Sequence, residues 1–259
     1  MENNMVSARI VAIVQARMAS SRLPGKVLKD IGGEAMLGLV VARTRLAKTI
    51  DEIVVATTTQ PEDAEIEKYC QERGIPVYRG SLNDVLDRFY QAAKVYHADV
   101  IVRLTADCPL LDPGVIDHTV QVFFQSGVDF AANRLPPPFK RTYPIGLDTE
   151  VCTFSALERA WEEASAPYER EHVMPYLYDV VERFKIIRVD YEQDYGDRRW
   201  TVDTAEDLEL VRQIFARLTD KKTFTWLDVL AIFEDEPELA QINGQIQHKT
   251  FLDVDERAK

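Results

Sequence analysis

Three cations lie close together in the segment QARMASSRLPGK, residues 15–26, namely Arg17, Arg22 and Lys26. Such side chains suit multiply charged phosphates, because arginine binds them as a planar fork and lysine as a point charge. Two serines and a glycine in the same segment allow backbone N–H groups to approach the same anion. The segment follows an apolar, strand-like run and therefore predicts a triphosphate site. A solvated basic loop is the alternative.

Two common nucleotide motifs are absent from this segment. In a P-loop, glycine would stand at the position of Ser20 and a hydroxyl residue at the position of Val27. The glycine spacing of a dinucleotide fingerprint is missing as well. The predicted phosphate site therefore belongs to another class of nucleotide-binding protein.

Two aspartates add carboxylate groups to the predicted triphosphate site. Asp107 in LTADCP and Asp203 in WTVDTA each end a strand-like piece. Magnesium prefers oxygen ligands and commonly bridges a carboxylate to substrate phosphates. A single aspartate at such a place is more often a turn or helix-cap residue. Together with the basic segment, however, the two aspartates predict a metal–triphosphate site.

Several other reactive residue types have a plain structural interpretation. His172 lies beside a glutamate, and a lone histidine in such a place is most often structural. Arg198 and Arg199 are either a second anion contact or a solvated pair. Cys108 adjoins Asp107, but nothing near it in the sequence supplies a base, so packing is the expected role. The three cysteines are widely spaced and predict neither a disulfide framework nor a zinc site.

The elements that must position these residues alternate between strand and helix. Apolar, β-branched runs predict buried strands at 9–16, 52–59, 76–80 and 99–107, and helical patterns lie at 35–48, 61–74, 81–98 and 112–127. This alternation predicts an α/β fold with a mostly parallel sheet and helices on both faces. Ligands bind such sheets at the carboxyl ends of the strands, which places the basic segment and Asp107 at one edge.

The pattern changes after about residue 128. A proline-rich stretch, DFAANRLPPPFKRTYPIGLDTEVCTF, predicts a projecting arm of strands and turns, so that 128–183 forms an acceptor and dimerisation arm. A strand follows at 185–190, and a helix at 204–218 begins with a Thr-x-x-Asp cap. We expect one large α/β domain at 1–220 and a C-terminal helical extension and tail at 221–259.

Composition narrows the functional classes. The chain has 259 residues, 46% of them hydrophobic, and a formal net charge of -12. An acidic chain lacks the broad basic face that nucleic-acid binding requires. No apolar run reaches the ~18 residues of a membrane span, and the N-terminus lacks the basic start of a signal peptide. We expect neither a nucleic-acid nor a membrane partner, and we expect a cytoplasmic location.

The motifs QARMASSRLPGKVL, LTADCPLLDP and WTVDTAEDL resemble the sugar-activating cytidylyltransferases, the CMP-Kdo and CMP-sialate synthetase superfamily. The strings GSLNDVLDRF, YPIGLDTEV and EREHVMPYLY are most similar to the spore-coat polysaccharide SpsF-like branch. The resemblance covers about 9–215. It implies a nucleotidyltransferase fold and Mg²⁺-dependent transfer of CMP from CTP to an acidic sugar or phosphonate-type acceptor, with release of pyrophosphate, in polysaccharide or glycoconjugate precursor biosynthesis.

The resemblance also implies site residues. The metal ligands would be Asp107 and Asp203, and the catalytic residues Arg17, Lys26 and Asp107. The nucleotide site would comprise Gln15, Ala16, Arg17, Ser20, Arg22, Lys26 and Arg103, with Ser81, Asn83 and Asp84 near the nucleoside. The expected acceptor contacts are Arg134, Asp148 and His172.

Two other functions remain open at this point. A glycosyltransferase of related topology would commonly hold its metal with Asp-x-Asp, whereas this chain has Asp107-Cys-Pro. A non-catalytic nucleotide-binding module would need neither aspartate, because fold alone does not determine function. We expect a homodimer formed through the region after 128, since that region combines the arm with extensive apolar faces.

Overall fold

A mixed β-sheet forms the centre of the structure, a computed structural model that describes residues 8–135 and 140–247. The strands of the described residues are β1 (Ile10–Gln15), β2 (Asp30–Ile31), β3 (Glu34–Ala35), β4 (Glu52–Thr58), β5 (Val77–Gly80), β6 (Val100–Thr105), β7 (Phe130–Ala132), β8 (Glu150–Thr153) and β9 (Ile186–Arg188). The seven strands of the central sheet have the order β5-β4-β1-β6-β8-β7-β9, while β2 and β3 pair separately.

The sheet is mostly parallel. Strand β1 pairs in parallel with both β4 and β6, β5 continues the parallel set beyond β4, and β9 is parallel to β7. Only β8 among the seven runs antiparallel to its neighbours β6 and β7. The predicted α/β fold is therefore confirmed.

Helices cover both faces of this sheet. The helices of the described residues are α1 (Met36–Thr44), α2 (Ala64–Glu72), α3 (Val85–Val95), α4 (Pro113–Ser126), α5 (Phe154–Glu163), α6 (Pro167–His172), α7 (Pro175–Tyr178), α8 (Ala205–Arg217) and α9 (Trp226–Asp235), of which α1 to α7 lie on the two faces. Alternate residues of β1 point to opposite faces, as a strand requires. Ala12 and Val14 pack in the cluster that includes α1, α2 and α4, and Val11 and Ile13 pack in the cluster that includes α3 and α5.

A third apolar cluster lies beside the sheet and joins the C-terminal helices to the rest. Trp200, Val211 and Phe233 are buried in it, together with side chains of α8 and α9. No helix among the described residues is long and apolar enough to cross a membrane. A cytoplasmic location stays a prediction from the sequence.

The segment 128–183 differs from the projecting arm that the sequence predicts. Its described residues supply β7 and β8 to the central sheet, and Phe130 and Val151 are fully buried there. The helices α5 to α7 then pack onto the sheet face that also holds α3. Strands β7 and β8 are short and flank a run of prolines, so the amino-acid sequence of this segment indicated a projecting arm. Residues 136–139 of the segment, and 248–259 of the predicted tail, lie outside the described residues.

The helix predicted at 81–98 begins later, at Val85. The N-cap of α3 is Asp84, whose carboxylate accepts a hydrogen bond from the Asp87 N–H at 2.9 Å, and not Ser81. The Ser81 hydroxyl instead accepts from the Asp84 N–H at 3.0 Å. Near 173, a break before Pro175 separates α6 from α7, because proline cannot continue the hydrogen-bond ladder of a helix.

Candidate functional site

The basic segment opens into a cleft at the carboxyl edge of the sheet. The cleft has a volume of about 250 Å³. Its lining includes the predicted residues Gln15, Arg17, Ser20, Arg22, Lys26, Arg103, Asp107 and Asp203, with Ala19, Ser21, Val27, Thr105 and Ala106. The structure thus brings the three cations and both aspartates together, although residues 107 and 203 are far apart in the chain.

The loop between β1 and Lys26 is held at both ends. At its start, the Met18 N–H donates to Asp63 Oδ1 at 2.6 Å, and Asp63 is almost fully buried. At its end, the Gly25 N–H donates to the Met18 carbonyl at 2.9 Å. Gly25 has φ +67°, a left-handed conformation that glycine adopts without the penalty of a Cβ. This turn directs Lys26 into the cleft.

The two aspartates are joined through the backbone. The Val202 N–H donates to the Asp107 carbonyl at 2.8 Å, and the Thr201 hydroxyl donates to the same carbonyl at 3.2 Å. Asp107 follows β6, as predicted. Asp203 ends an extended segment that approaches β6 without forming a named strand. Pairing of these two backbones therefore explains why carboxylates from separate segments share one site.

Lys26 lies between the two carboxylates. Its Nζ donates to Asp107 Oδ2 at 2.8 Å, to Asp203 Oδ1 at 2.9 Å and to the Val202 carbonyl at 2.8 Å. Burial alone would lower the pKa of Lys26, but the charges of the two aspartates outweigh it and raise that pKa. The ammonium group therefore stays charged and marks a point where one cation contacts three oxygens.

Asp203 is further held by two arginines. Its Oδ2 lies 2.8 Å from Arg199 Nη2 and 3.1 Å from Arg22 Nη2. Burial acts to raise the pKa of Asp203, yet Lys26, Arg199 and Arg22 hold it well below its usual range. The pKa of Asp107 is lowered in the same way, by Lys26 against the effect of burial. Both groups are therefore carboxylates at neutral pH.

The oxygen set around Lys26 Nζ fits a small divalent cation. Two carboxylates and a backbone carbonyl within reach of one point are hard ligands of the kind that Mg²⁺ prefers. Among the described residues, no cluster of three or more histidine, cysteine, aspartate or glutamate side chains could hold a metal ion. Mg²⁺ sites commonly use one or two carboxylates and complete their coordination with substrate phosphates and water.

Arg103 lines the cleft from β6 and is fixed by its neighbours in the sheet. Arg103 and Glu150 are directly paired residues of β6 and β8, and their side chains form an ion pair. Arg103 Nη2 also donates to Gln15 Oε1 at 3.3 Å, on the other neighbouring strand. The guanidinium group is thus held across three strands, and Glu150 neutralises part of its charge.

Two of the predicted acceptor residues lie together. Arg134 Nε is 3.8 Å from Asp148 Oδ2, and Arg141 Nη1 donates to Asp148 Oδ1 at 2.7 Å. Burial and then the charges of Asp107 and Asp148 raise the pKa of the Cys108 thiol, so Asp148 acts on the residue next to Asp107. That pKa, and the burial of Cys108, agree with the predicted packing role.

The loop that carries Asp148 approaches the Asp203 segment closely. The Ile145 N–H donates to the Arg198 carbonyl and the Trp200 N–H donates to the Ile145 carbonyl, both at 2.8 Å. Gly146 has φ +109°, and a Cβ at this position would lie 2.8 Å from the Thr201 nitrogen. Glycine is therefore required for this contact. His172, the third predicted acceptor residue, ends α6 and does not line the described cleft.

Four predicted nucleotide residues lie outside the lining of the cleft, namely Ala16, Ser81, Asn83 and Asp84. Ala16 is buried, and its N–H continues the pairing of β1 with β4. The other three follow β5, at the same edge of the sheet but separated from β1 by β4. The Asp84 carboxylate caps α3 and also accepts from Arg170 Nη2 at 2.6 Å. It is thus already engaged within the protein.

Some residues of the site were not predicted. Asp63 anchors the basic loop, Glu150 pairs with Arg103, and Asp207 pairs with Arg199. Arg199 is buried and pairs with Asp203 and Asp207, so the interpretation as a solvated pair was wrong for this residue. The only available signal was the predicted Thr-x-x-Asp cap at Asp207, which gave no indication of an ion pair.

The fold and the cleft define a nucleotidyltransferase-type α/β enzyme with a cationic loop after its first strand. The chain belongs to the cytidylyltransferase family, which matches residues 11–249. It is therefore an enzyme of the nucleotidyltransferase class.

Individual relatives agree with this assignment. The spore coat polysaccharide biosynthesis protein SpsF of Bacillus subtilis is 31% identical over 244 residues, covering 89% of this chain and 96% of that protein. A solved cytidylyltransferase structure from Leptospira borgpetersenii is 36% identical with a TM-score of 0.85, covering 93% of this chain and 100% of the other. The structure of a CMP:2-keto-3-deoxy-manno-octonic acid synthetase complexed with CTP shares the fold at 21% identity, with a TM-score of 0.62 over 81% of this chain and 99% of the other.

Proposed function

We propose that the chain transfers CMP from CTP to an acidic sugar or a related acceptor in precursor biosynthesis for a polysaccharide or glycoconjugate, with release of pyrophosphate. The observation that carries the proposal is the cleft in which Arg17, Arg22 and Lys26 meet Asp107 and Asp203. A cation-rich loop opposite a pair of carboxylates suits a metal-bound triphosphate. The polysaccharide role named for SpsF and the CTP bound to the structural neighbour support the same reaction.

In this proposal the loop residues bind the triphosphate. Arg17 and Ser20 line the cleft and are accessible to phosphate oxygens, and Arg22 is about a third exposed. Lys26 leaves the two carboxylates when CTP binds and turns to the phosphates. The acceptor oxygen attacks the α-phosphorus in line, and these cations stabilise the charge that develops on the departing pyrophosphate. Most of the acceleration then comes from positioning and charge neutralisation.

Asp107 and Asp203 would hold Mg²⁺ at the point now occupied by the Lys26 ammonium group. When bound there, the metal would neutralise phosphate charge and polarise the reacting phosphoryl group. The two carboxylates are suited to this role because Lys26, Arg22 and Arg199 keep them ionised. Arg199 and Arg22 also restrict the rotation of the Asp203 carboxylate, which keeps Oδ1 directed at the shared point.

For the acceptor we propose contacts with Arg134 and Asp148, and with His172 after acceptor binding. Arg134 Nε has no hydrogen-bond partner among the described residues and is shielded from solvent. Glu150 and Asp148 raise the pKa of Arg134 despite its burial, so it is a permanent cation. A buried N–H without a partner costs free energy, and an anionic group of the acceptor would satisfy it.

A nucleotide panel tests the proposed reaction. We expect pyrophosphate release with CTP in the presence of Mg²⁺ and one class of acidic sugar or phosphonate acceptor, and much less with ATP, GTP or UTP. Neutral sugars and a reaction without acceptor form the comparison arms. Release of free nucleoside diphosphate from a nucleotide sugar would instead identify a glycosyltransferase. Nucleotide binding without pyrophosphate release in any arm would contradict the catalytic proposal.

We also propose a homodimer formed through the region after 128. Val180 and Val181, in the segment that joins α7 to β9, are 47% and 83% exposed. Exposed apolar side chains of this kind are common at contacts between subunits. Multi-angle light scattering at micromolar concentration is expected to give twice the mass of the 29.6 kDa chain. A single species with the monomer mass would contradict the dimer.

A further inference from the structure

Asn243 connects the C-terminal segment to the residues behind the candidate metal ligands. It follows α9 and a short 3-10 turn at Pro237–Gln241, and it is only 6% exposed. Its Nδ2 donates to Asp207 Oδ1 at 2.9 Å and to the Arg199 carbonyl at 3.1 Å. Both hydrogens of one amide group are thus used on two residues that do not belong to the C-terminal segment.

Asp207 is the residue on which these contacts converge. It is fully buried, and its two oxygens accept from Arg199 Nε at 3.0 Å and Arg199 Nη2 at 2.9 Å. Asp207 Oδ2 also accepts the backbone N–H groups of Asp203 and Thr204, both at 3.0 Å. One carboxylate therefore holds the backbone of Asp203 and the arginine that contacts its side chain.

We propose that Asn243 is a positioning residue for Asp203, acting through Asp207 and Arg199. This inference rests on the proposed function, because it assigns Asp203 to the metal. The sequence of contacts is continuous: Asn243 donates to Asp207, Asp207 fixes Arg199, and Arg199 Nη2 donates to Asp203 Oδ2 at 2.8 Å. Groups that orient a metal ligand from behind typically change metal affinity or activity by about 10- to 100-fold when removed.

The amide is the side chain that this position requires. A buried carboxylate such as Asp207 is costly unless its lone pairs are used, and Arg199 alone does not use all of them. Asn243 supplies a neutral donor, so it satisfies Asp207 without competing for the arginine. An aspartate at position 243 could not donate to either acceptor and would place a second negative charge beside Asp207.

The packing of the C-terminal segment explains how Asn243 reaches this place. Leu239, four residues earlier, is 4% exposed and lies in the apolar cluster shared by Trp200 and α8. Trp200 adjoins Arg199 in the chain, so the same cluster supports both ends of the contact. The C-terminal segment thereby becomes part of the candidate active site and not only a covering element.

The test compares Asn243→Ala and Asn243→Asp with wild type in two measurements. The first is the Mg²⁺ dependence of pyrophosphate release with CTP and an active acceptor. The second is direct binding of Mn²⁺ in the presence of CTP without acceptor, measured from the signal of free Mn²⁺ by electron paramagnetic resonance. We expect the half-saturating Mg²⁺ concentration and the Mn²⁺ dissociation constant to rise about 3- to 10-fold in Asn243→Ala and further in Asn243→Asp. The effect in Asn243→Ala should be smaller than the range of about 10- to 100-fold, because Asn243 does not itself contact the metal-binding Asp203 side chain.

Two controls separate positioning from stability and from the proposed function. Leu157→Ala removes packing from α5, in a different apolar cluster, and should lower the melting temperature while leaving both metal measurements unchanged. Asp203→Asn should require far more Mg²⁺ and bind Mn²⁺ more weakly whether or not Asn243 acts on it, so an unchanged Asp203→Asn would overturn the proposed metal site itself. If Asp203→Asn behaves as expected but both Asn243 variants bind Mn²⁺ like wild type, the positioning role is wrong. Should Asn243→Ala fail to fold, Asn243→Ser, which keeps one hydrogen-bond donor without adding a charge, decides the matter by the same two measurements.

Discussion

Asp107→Asn and Asp203→Asn are each expected to lower turnover by ~10³-fold or more, since metal neutralisation of a transferring phosphoryl group is worth several kcal/mol. Each substitution keeps the side-chain shape but removes one of the two negative charges around the point now held by Lys26 Nζ. The remaining carboxylate would hold Mg²⁺ weakly. Activity should therefore require far more Mg²⁺ in both variants, and the loss should be similar because the two carboxylates share one cation.

Three measurements distinguish this expectation from a structural role. They are the Mg²⁺ titration of activity, CTP binding without metal, and the melting temperature of each variant. CTP binding without metal should change little or become tighter, because a carboxylate beside a triphosphate is repulsive when no cation lies between them. Asp197→Asn is the matched control, since Asp197 is 86% exposed and outside the cleft. A lower melting temperature with unchanged Mg²⁺ dependence would assign the aspartates a structural role only.

The central sheet could be predicted because its strands are continuous apolar runs. Most residues of 10–15, 52–58 and 100–105 are buried, on both faces of the sheet, and such strands have no competing interpretation when helical patterns separate them. The antiparallel part could not be predicted. Strands β7 and β8 have three and four residues, and their pairing depends on partners far away in the chain. Local pattern alone carries little information about such long-range pairing.

In the site, too, local sequence pattern predicted some features, while others depend on long-range packing. Arg17 and Asp107 could be placed at one edge because each directly follows a strand of the parallel sheet. The position of Lys26 was predicted, but its ion pairs with Asp107 and Asp203 were not, since they depend on the backbone pairing of Val202. The contacts of Arg199 were not predictable either. They require α8 to place Asp207 beside it, and no local spacing encodes that packing.

Lys26→Met is expected to have two opposite effects. In catalysis, loss of one charge-stabilising donor should lower kcat by ~10²–10³-fold, or about 2.7–4 kcal/mol. In the ligand-free protein, however, removal of the ammonium group leaves Asp107 and Asp203 facing each other across the shared point. Mn²⁺ should then bind more tightly without CTP than it does to wild type, because the metal no longer has to displace Lys26.

Stability should also depend on pH in a defined way. The lowered pKa of Asp203 stabilises the fold above the unfolded value, and this contribution is lost as the pH falls. The raised pKa of Lys26 stabilises the fold below its unfolded value, and this contribution is lost at high pH. The difference in unfolding free energy between wild type and Lys26→Met should therefore be largest between about pH 5 and pH 9 and shrink below about pH 4.

Lys29→Met provides the matched control for Lys26→Met, because Lys29 caps the short 3-10 helix Lys26–Leu28 but lies outside the lining of the cleft. Denaturant unfolding at about pH 3 and pH 7, Mn²⁺ binding without nucleotide and steady-state kinetics should be measured on both variants. Lys29→Met should match wild type in all three. If Lys26→Met loses activity but binds Mn²⁺ no better than wild type without CTP, the ammonium group and the metal do not compete for one position. Lys26 would then act on the phosphates alone, and the two carboxylates would have to bind the metal at a different point from the one that Lys26 Nζ marks.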